Sequence, residues 1–514
     1  MRLSKFLREE SGALAPLFTI SLVPILALIG ASLDLSGMWR TKNTLQVAVD
    51  STALAVNHQL HLATQQKIQT KAAAFFAGQT GDLEQPSLDP VVFDVDAGSV
   101  TVSASAAYTP SIMRAFGLGP FELTARAKTV LGDQAIEVAL VLDNSGSMSG
   151  SKLTSLKKAA SSLVTILFDS QSATTRIKIG VVPFSGAVNV GAGNANKTWM
   201  DRNALSPVHS ENFVSAANRF TLFNEMKNVS WAGCVESRPG VHAVNDTVPT
   251  TSDPISLFVP MFAPDESDEE GKRNPSFVNN YLSDDGSGSN CKSSDKADKS
   301  DRARQKRICK YKNQKPSTSG WGSTNKGPNF WCNSDPILPL SEKKQELLNA
   351  IDGMKAKGYT NIHEGLMWGW RVLSPSEPFT EGDAYGTPNL RKYIVLMTDG
   401  ANTINGRSTH NNSDYSAYGY ASNNRLDPDS EDMAGWELKS AMDDRLEEAC
   451  ANARAGEYIS IYTIAFQVND QPTLKRLKDC ATKESMARTA GSGTDLEQVF
   501  QQIARDLGKL RLTE

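Results

Sequence analysis

Residues 138–148 read VALVLDNSGSM and join a continuous apolar run to a short loop of carboxylate and hydroxyl side chains. Further apolar runs lie at residues 177–182, 393–397 and 459–466, with helical patterns between them. Runs that are apolar on both faces are typical of strands buried between two layers of helices. Their alternation with helices predicts an α/β fold with a doubly wound, mainly parallel sheet over residues 135–514.

Polar side chains gather where these predicted strands end. Asp143 closes the first strand and is followed by Ser145 and Ser147, while Asp399 follows the third apolar run and Thr360 precedes a helical stretch. Ligands of parallel α/β sheets bind at the carboxyl ends of the strands. We therefore expect these five side chains to converge at one edge of the sheet.

Carboxylate and hydroxyl oxygens are the ligands of a hard divalent cation, most simply Mg²⁺, with Mn²⁺ and Ca²⁺ as alternatives. The set has no Cys or His, so we do not expect zinc or copper. Two carboxylates leave the coordination shell open to water or to an acidic group of a partner. The pattern thus predicts a metal-bridged adhesion site rather than a buried structural ion.

This constellation resembles the metal-ion-dependent adhesion site of von Willebrand factor A domains. The D-x-S-x-S pattern of that site matches Asp143, Ser145 and Ser147, its threonine matches Thr360 and its second aspartate matches Asp399. The resemblance implies an A-type domain with a large insertion. The alternative is a metal-free A domain in which the same Ser and Asp residues only cap helices.

Residues 13–33 form an uncharged apolar segment that is long enough to span a bilayer as a helix. Arg2, Lys5 and Arg8 precede it, which favours a cytoplasmic N-terminus at residues 1–12. We expect a single-pass anchor in the inner membrane, with the rest of the chain periplasmic or extracellular. The alternative is a cleaved signal peptide, whose apolar region is usually shorter and ends in an A-x-A-like site.

Residues 34–134 predict a small membrane-proximal α+β domain. Residues 34–77 contain no proline and read as one long helix continuing out of the membrane. Three β-like runs follow at residues 91–96, 99–108 and 121–130.

This N-terminal layout resembles the pilin-like TadE and TadG proteins of the Tad (Flp) pilus-assembly system. The resemblance rests on residues 10–13 (ESGA), the apolar span, Asp34 and residues 45–55 (LQVAVDSTALA). Processed pilins have Glu five residues after the cleavage-site Gly, whereas Leu17 stands at that distance from Gly12. We therefore expect an uncleaved assembly or adhesion protein rather than a fibre subunit.

The region from residue 135 exceeds a minimal A domain through insertions at residues 186–340 and 401–435. Both should emerge near the metal edge, where loops on a rigid scaffold commonly bind partners. The first is too long to be a bare loop, so we expect a folded cap. Within it, residues 264–270 are acidic and residues 291–315 carry ten Lys or Arg against three Asp. We interpret both runs as solvated surface, with contact to an anionic polymer or lipid as the alternative.

The chain contains six cysteines and no C-x-x-C pair. An even number in an exported protein favours disulfides. We predict the pairs Cys450 with Cys480, Cys234 with Cys332 and Cys291 with Cys309, although sequence alone does not fix the connectivity.

The sequence therefore favours a non-enzymatic envelope protein of pilus assembly or adhesion that binds an acidic group of a protein partner. The alternative is a stand-alone matrix or cell-wall binding module unrelated to pili. We identify no catalytic residue, since His363 stands alone past Thr360 and no motif supplies a second metal. The net charge of −4 gives no reason to expect nucleic-acid binding.

Overall fold

The computed structural model describes residues 14–57, 65–94, 99–130, 134–171, 175–268, 277–286, 290–317 and 326–509. The predicted cytoplasmic segment and the pilin-like residues 10–13 lie outside these ranges. The chain forms two compact units, one of residues 1–134 with 172–175 and one of residues 135–171 with 176–514.

The first unit combines two helices with a small antiparallel sheet. Its elements are α1 (Leu14–Asn57), α2 (Gln65–Gln79), β1 (Glu84–Leu88), β2 (Val92–Asp94), β3 (Ser99–Tyr108) and β4 (Phe121–Val130). β3 pairs with each of the other three strands. The predicted runs at residues 99–108 and 121–130 coincide with β3 and β4, whereas β1 was not predicted.

The prediction of one helix over residues 34–77 is wrong, because α1 ends at Asn57 and α2 begins at Gln65. In one straight helix Leu45 and Phe76 would lie about 46 Å apart, at ~1.5 Å per residue. Both instead belong to one core, together with apolar residues of β3 and β4. Burial of α2 against the face of α1 that carries Leu45 and Val49 therefore decides the arrangement.

α1 contains the segment Ile20–Val56, which is long and apolar enough to cross a membrane. Its most apolar window has a mean hydropathy of 1.8 and is largely unburied in the protein. This segment overlaps the predicted span of residues 13–33, and most of its large side chains before Asp34 are exposed. Such exposure fits a helix that has lipid rather than protein around it.

The second unit is a mixed α/β structure around a six-stranded sheet. Its elements are β5 (Gln134–Asp143), α3 (Ser151–Asp169), β6 (Thr175–Phe184), α4 (Arg219–Glu225), α5 (Asp301–Gln305), β7 (Leu338–Ser341), α6 (Lys344–Gly353), α7 (Ile362–Leu373), β8 (Leu390–Thr398), α8 (Gly435–Ala455), β9 (Ile459–Phe466), α9 (Gln471–Cys480), β10 (Ala487–Ala490) and α10 (Gly493–Lys509). The strand order is β10-β9-β8-β5-β6-β7. The pairs β5–β8, β8–β9 and β9–β10 are parallel, and the edge strand β7 runs antiparallel to β6.

Alternate residues of the central strands enter two separate cores. Val138, Leu140 and Leu142 of β5 pack in a cluster with α3, α6 and α10. Ala139 and Val141 face the other cluster, which contains residues of α7 and α8 and of the first insertion. The sequence of β5 is continuously apolar because both of its faces are covered by these cores.

The first insertion is a packed structure with few regular elements. Among the residues that the structure describes, its α-helices are α4 and α5, and its other helical segments are short 3₁₀ helices such as Ala192–Asn196 and Gly240–Ala243. Its aromatic residues Trp199 and Phe258 pack near Trp368 of α7 and so join the cap to the core. The sheet resumes at Leu338, so the insertion ends slightly before the predicted residue 340.

All three predicted disulfides are present: Cys234–Cys332, Cys291–Cys309 and Cys450–Cys480. The first joins distant parts of the insertion across 98 residues. The third links α8 to α9.

The interpretation of residues 264–270 and 291–315 as solvated surface is wrong for several charged residues of both runs, which are buried. Asp265 and Glu266 of the acidic run are buried, and so are Arg307 and Lys310 of the basic run. Lys310 Nζ lies 2.7 Å from Asp265 Oδ2. Lys310 of the basic run and Asp265 of the acidic run thus form an ion pair inside the cap.

Candidate metal centre

The candidate centre lies where β5 and β8 end side by side. Their parallel register places Leu142 opposite Met397, so Asp143 and Thr398 stand at the same edge of the sheet. β6 also ends there, because the backbone N–H of Asn144 donates to the carbonyl of Phe184 at 2.7 Å. The strands therefore carry the two predicted aspartates to one place.

A chain of hydrogen bonds connects four of the five predicted residues. The backbone N–H of Ser145 donates to Asp143 Oδ1 at 2.7 Å. The hydroxyl oxygens of Ser145 and Ser147 lie 2.9 Å apart, and Ser147 Oγ donates to Asp399 Oδ1 at 2.6 Å. Residues far apart in sequence thus present their oxygens to one small volume.

Thr360, the fifth predicted residue, lies on the adjoining loop. The backbone N–H of Gly146 donates to the carbonyl of Gly358 at 2.9 Å, which brings this loop against the Asp143 loop. Gly358 has a φ of +95°, a conformation that L side chains rarely adopt. Thr360 itself is buried, and no hydrogen bond among the described residues joins its hydroxyl to the other four.

The surroundings of Asp143 raise the pKa of its carboxyl group. Burial raises the pKa of Asp143 to about 6, and the charge of Asp399 acts in the same direction. Hydrogen bonds from Ser145 and from Thr398, whose Oγ1 donates to Asp143 Oδ2 at 2.7 Å, oppose this effect. A nearby cation would favour the ionised form of both carboxylates.

Lys152 supplies one such positive charge. Its Nζ donates to Asp399 Oδ2 at 2.6 Å, and its side chain is about a quarter exposed while that of Asp399 is buried. Lys152 lies in the first turn of α3, directly after the D-x-S-x-S loop. Asp399 is therefore held by Ser147 on one oxygen and by Lys152 on the other.

The donor set fits a hard divalent cation. Its donors are carboxylate and hydroxyl oxygens, the preferred ligands of Mg²⁺ and Ca²⁺. No group of three or more His, Cys, Asp or Glu able to hold a metal occurs among the described residues. The oxygen set of Asp143, Ser145, Ser147, Thr360 and Asp399 lacks the nitrogen and sulfur ligands that zinc prefers.

Both insertions begin at this edge and flank Tyr359, the neighbour of Thr360. From the first insertion, the ring of Trp331 lies 4.1 Å from the ring of Tyr359, centroid to centroid. From the second, Asp414 Oδ2 accepts a hydrogen bond from the Tyr359 hydroxyl at 2.7 Å. The backbone N–H of Thr403 also donates to the carbonyl of Thr360 at 2.9 Å. The insertions thus form a wall beside the candidate centre.

Sequence reasoning missed Thr398, Lys152 and the pair Trp331–Tyr359. Thr398 could have been found, because a hydroxyl directly before Asp399 ends the same strand. Lys152 lies at the start of α3, five residues after Ser147, and no spacing rule in the sequence pointed to its contact with Asp399. Nothing in the sequence pointed to Trp331, since it lies within the long insertion.

His363 lies in the protein interior, where both of its ring nitrogens are hydrogen-bonded. It is fully buried, its Nδ1 lies 2.8 Å from the Tyr418 hydroxyl and its Nε2 lies 3.0 Å from the Ala243 carbonyl. Because the carbonyl only accepts, Nε2 carries the proton and Nδ1 accepts from Tyr418. Burial lowers the pKa of His363 to about 4.

Comparison with protein families gives a match at the N-terminus. Residues 12–65 match the model of a family described as putative Flp pilus-assembly TadE/G-like proteins. No curated protein sequence matches the chain.

Several solved structures are similar to the chain at low identity. The pilus adhesin SpaC from Lactobacillus rhamnosus GG, in its open conformation, is 10% identical with a TM-score of 0.34, over 83% of this chain and 34% of the SpaC chain. The vWF domain of the type V pili tip protein Mfa5 from Porphyromonas gingivalis is 10% identical with a TM-score of 0.33, over 74% of this chain and 97% of that domain. The pilus adhesin RrgA from Streptococcus pneumoniae is 11% identical with a TM-score of 0.32, over 82% and 48% of the two chains. The chain thus spans about a third of the length of SpaC.

Proposed function

We propose that this protein is a non-enzymatic, membrane-anchored envelope protein of Tad/Flp pilus assembly or adhesion. In this proposal the second unit is a doubly wound von Willebrand factor A-type domain, and its metal site binds an acidic group of a partner protein. The family match at residues 12–65 supports the link to pili. The oxygen set at the edge of the parallel sheet supports the binding function.

The observation that carries the proposal is the hydrogen-bonded path from Asp143 through Ser145 and Ser147 to Asp399. Asp143, Ser145, Ser147, Thr360 and Asp399 would hold the cation, most simply Mg²⁺. When bound, such a cation supplies an open coordination position for a carboxylate oxygen from outside. Thr398 and the Ser145 N–H orient Asp143, while Lys152 balances part of the charge of Asp399.

The walls around the centre support recognition of a protein partner. Trp331 and Tyr359 offer a rigid aromatic surface beside the oxygens, and the second insertion contacts the same loop. Aromatic side chains are enriched among residues that carry binding energy at protein interfaces. A partner acidic side chain at the cation, with apolar neighbours against this wall, would therefore be bound specifically.

The anchor and the cysteines support the proposed compartment. An apolar helix α1 with Arg2, Lys5 and Arg8 before it favours an inner-membrane anchor with a cytoplasmic N-terminus. All six cysteines form disulfides, which persist in oxidising compartments such as the periplasm. Both features support a periplasmic or extracellular second unit.

A capture experiment from envelope extracts tests the proposal. The full chain is immobilised in detergent with Mg²⁺ or with a chelator, and bound pilus-assembly proteins are identified by mass spectrometry. Asp143→Ala removes a proposed ligand. Asp383→Asn is the matched control, because Asp383 pairs with Arg176 and Lys178 at the start of β6, at the opposite end of the strands.

We expect capture of pilus-assembly proteins with Mg²⁺ and with Asp383→Asn, and its loss with chelator or with Asp143→Ala. Equal capture by all four samples would refute metal-dependent binding. Metal-dependent capture of cell-wall polymer in place of pilus proteins would refute the link to pili and support a stand-alone binding module.

A further inference from the structure

The loop between β3 and β4 lies against the apolar part of α1. Gly30 is buried although Ile29 and Leu33 beside it are exposed. The residue that covers it is Ile112, whose Cγ2 lies 2.4 Å from the position that a Cβ of Gly30 would occupy. The loop can approach this closely because residue 30 has no side chain.

Asp34 fixes the loop in this position. Its carboxylate accepts hydrogen bonds from the backbone N–H groups of Ser111 at 2.8 Å, Ile112 at 2.9 Å and Met113 at 2.7 Å. These groups open the short 3₁₀ helix Met113–Phe116, whose N–H groups would otherwise lack acceptors. Asp34 is the first charged residue after the apolar segment, so the loop is attached at the end of that segment.

The height of the loop along α1 follows from helix geometry. Gly30 precedes Leu33, the last residue of the apolar segment, by about 4–5 Å at ~1.5 Å per residue. Tyr108, at the start of the loop, contacts α1 at Gly37, on the other side of Asp34. The loop therefore spans the level at which α1 leaves its apolar segment.

The exposed side chains of the loop are of the kind that binds at a membrane surface. Phe116 is 61% exposed and Leu118 is 51% exposed, and Ile112 is partly exposed beside them. Residues 109–120 read TPSIMRAFGLGP and contain one Arg and no acidic residue. On α1, Trp39 is exposed about 7–8 Å past Asp34 at ~1.5 Å per residue, and exposed Trp is common at membrane interfaces. Apolar side chains with a basic neighbour are what binds to the acyl–headgroup boundary of an anionic bilayer.

We propose that residues 109–120 form a second membrane contact, in which Phe116 and Leu118 insert into the bilayer that α1 crosses. The inserted residues lie in the leaflet on the side where α1 emerges. This inference rests on the membrane anchor of the proposed function. The contact fixes the first unit against the membrane surface at two points instead of leaving it on a single helix.

Spin labelling tests the inference in the full chain. The variants Phe116→Cys and Leu118→Cys are labelled with a nitroxide and reconstituted into vesicles of phosphatidylethanolamine and phosphatidylglycerol. The native cysteines all form disulfides, so the label attaches to the introduced thiol. Leu26→Cys, exposed in the apolar part of α1, is the lipid reference, and Ala74→Cys, exposed on α2, is the water reference.

We measure the collision of each label with oxygen, which concentrates in lipid, and with a water-soluble nickel chelate. Labels at residues 116 and 118 are expected to show the oxygen preference of residue 26 rather than the nickel preference of residue 74. A nickel preference at residues 116 and 118 with residue 26 in lipid would overturn the inference and leave the anchor intact. Protection of residues 116 and 118 from both reagents would overturn it in favour of a covering protein. A nickel preference at residue 26 would overturn the anchor and the inference together.

Discussion

Lys310 Nζ lies 2.7 Å from Asp265 Oδ2, and neither side chain reaches solvent. Asp284 Oδ1 lies 3.5 Å from the same ammonium. Burial raises the pKa of Asp265 to about 6 even though Lys310 acts to lower it. The pair joins the acidic run and the basic run of the first insertion.

Removal of one partner of this pair should destabilise the second unit. Lys310→Met leaves Asp265 as an uncompensated buried charge, which costs about 3–5 kcal/mol of unfolding free energy. Urea unfolding followed by tryptophan fluorescence measures this loss, because all tryptophans except Trp39 follow residue 135. Lys312→Met, at an exposed neighbour, should change little. Equal stability of the two variants would show that the pair contributes nothing.

Thr398 should matter for both stability and metal binding. Thr398→Val removes the hydroxyl that donates to Asp143 Oδ2 and should lower the unfolding free energy by about 1–2 kcal/mol. Thr463→Val is a matched control, because Thr463 Oγ1 donates to the Leu477 carbonyl at 2.7 Å in the neighbouring strand β9. Both variants should lose stability, but only Thr398→Val should weaken Mn²⁺ binding in a calorimetric titration. Equal Mn²⁺ affinities would mean that Thr398 does not orient a ligand.

The ammonium group of Lys152 in the wild type should lower the affinity of the centre for cations. Its ammonium lies next to Asp399, so Lys152→Met removes a positive charge and should tighten Mn²⁺ binding by a factor on the order of ten. Lys157→Met, in the same helix with its ammonium at the Asp352 carbonyl of α6, should leave the affinity unchanged. Weaker binding by Lys152→Met would contradict this account and would show that the lysine mainly positions Asp399.

His363 should make the second unit less stable in acid. Its pKa is about 4 in the folded protein and 6.5 in the reference state, so the folded state favours the neutral ring. The resulting stability is fully present above pH 6.5 and is lost as the pH falls toward 4. It amounts to roughly 3 kcal/mol by pH 4. The difference in unfolding free energy between the wild type and His363→Gln, measured by urea unfolding from pH 7 to pH 4, should shrink by this amount. A constant difference would contradict the buried neutral ring.

The central strands could be predicted from the sequence, whereas the pairing of the cysteines was allowed by the sequence without being fixed by it. Residues 138–142 are apolar on both faces because one core lies on each side of β5, and this pattern is visible without coordinates. The positions of Asp143 and Asp399 follow from the same pattern, since parallel strands end at one edge.

Features that depend on contacts between distant segments could not be predicted. The division of the N-terminal helical region into α1 and α2 follows from burial of Phe76 with Leu45. The burial of Asp265 and Lys310 follows from their meeting within the cap, whereas each charge run alone resembles solvated surface. Trp331 reaches Tyr359 through the fold of the first insertion, for which the sequence offers few regular elements.

Direct binding of Mn²⁺ to the full chain tests the central claim, that the oxygens of Asp143, Ser145, Ser147, Thr360 and Asp399 hold a divalent cation. Electron paramagnetic resonance distinguishes free from bound Mn²⁺ in detergent solution. The account predicts a bound ion that Mg²⁺ displaces, that Asp143→Ala abolishes and that Asp383→Asn retains. Absence of bound Mn²⁺ in the wild type, or equal binding by Asp143→Ala, would contradict it.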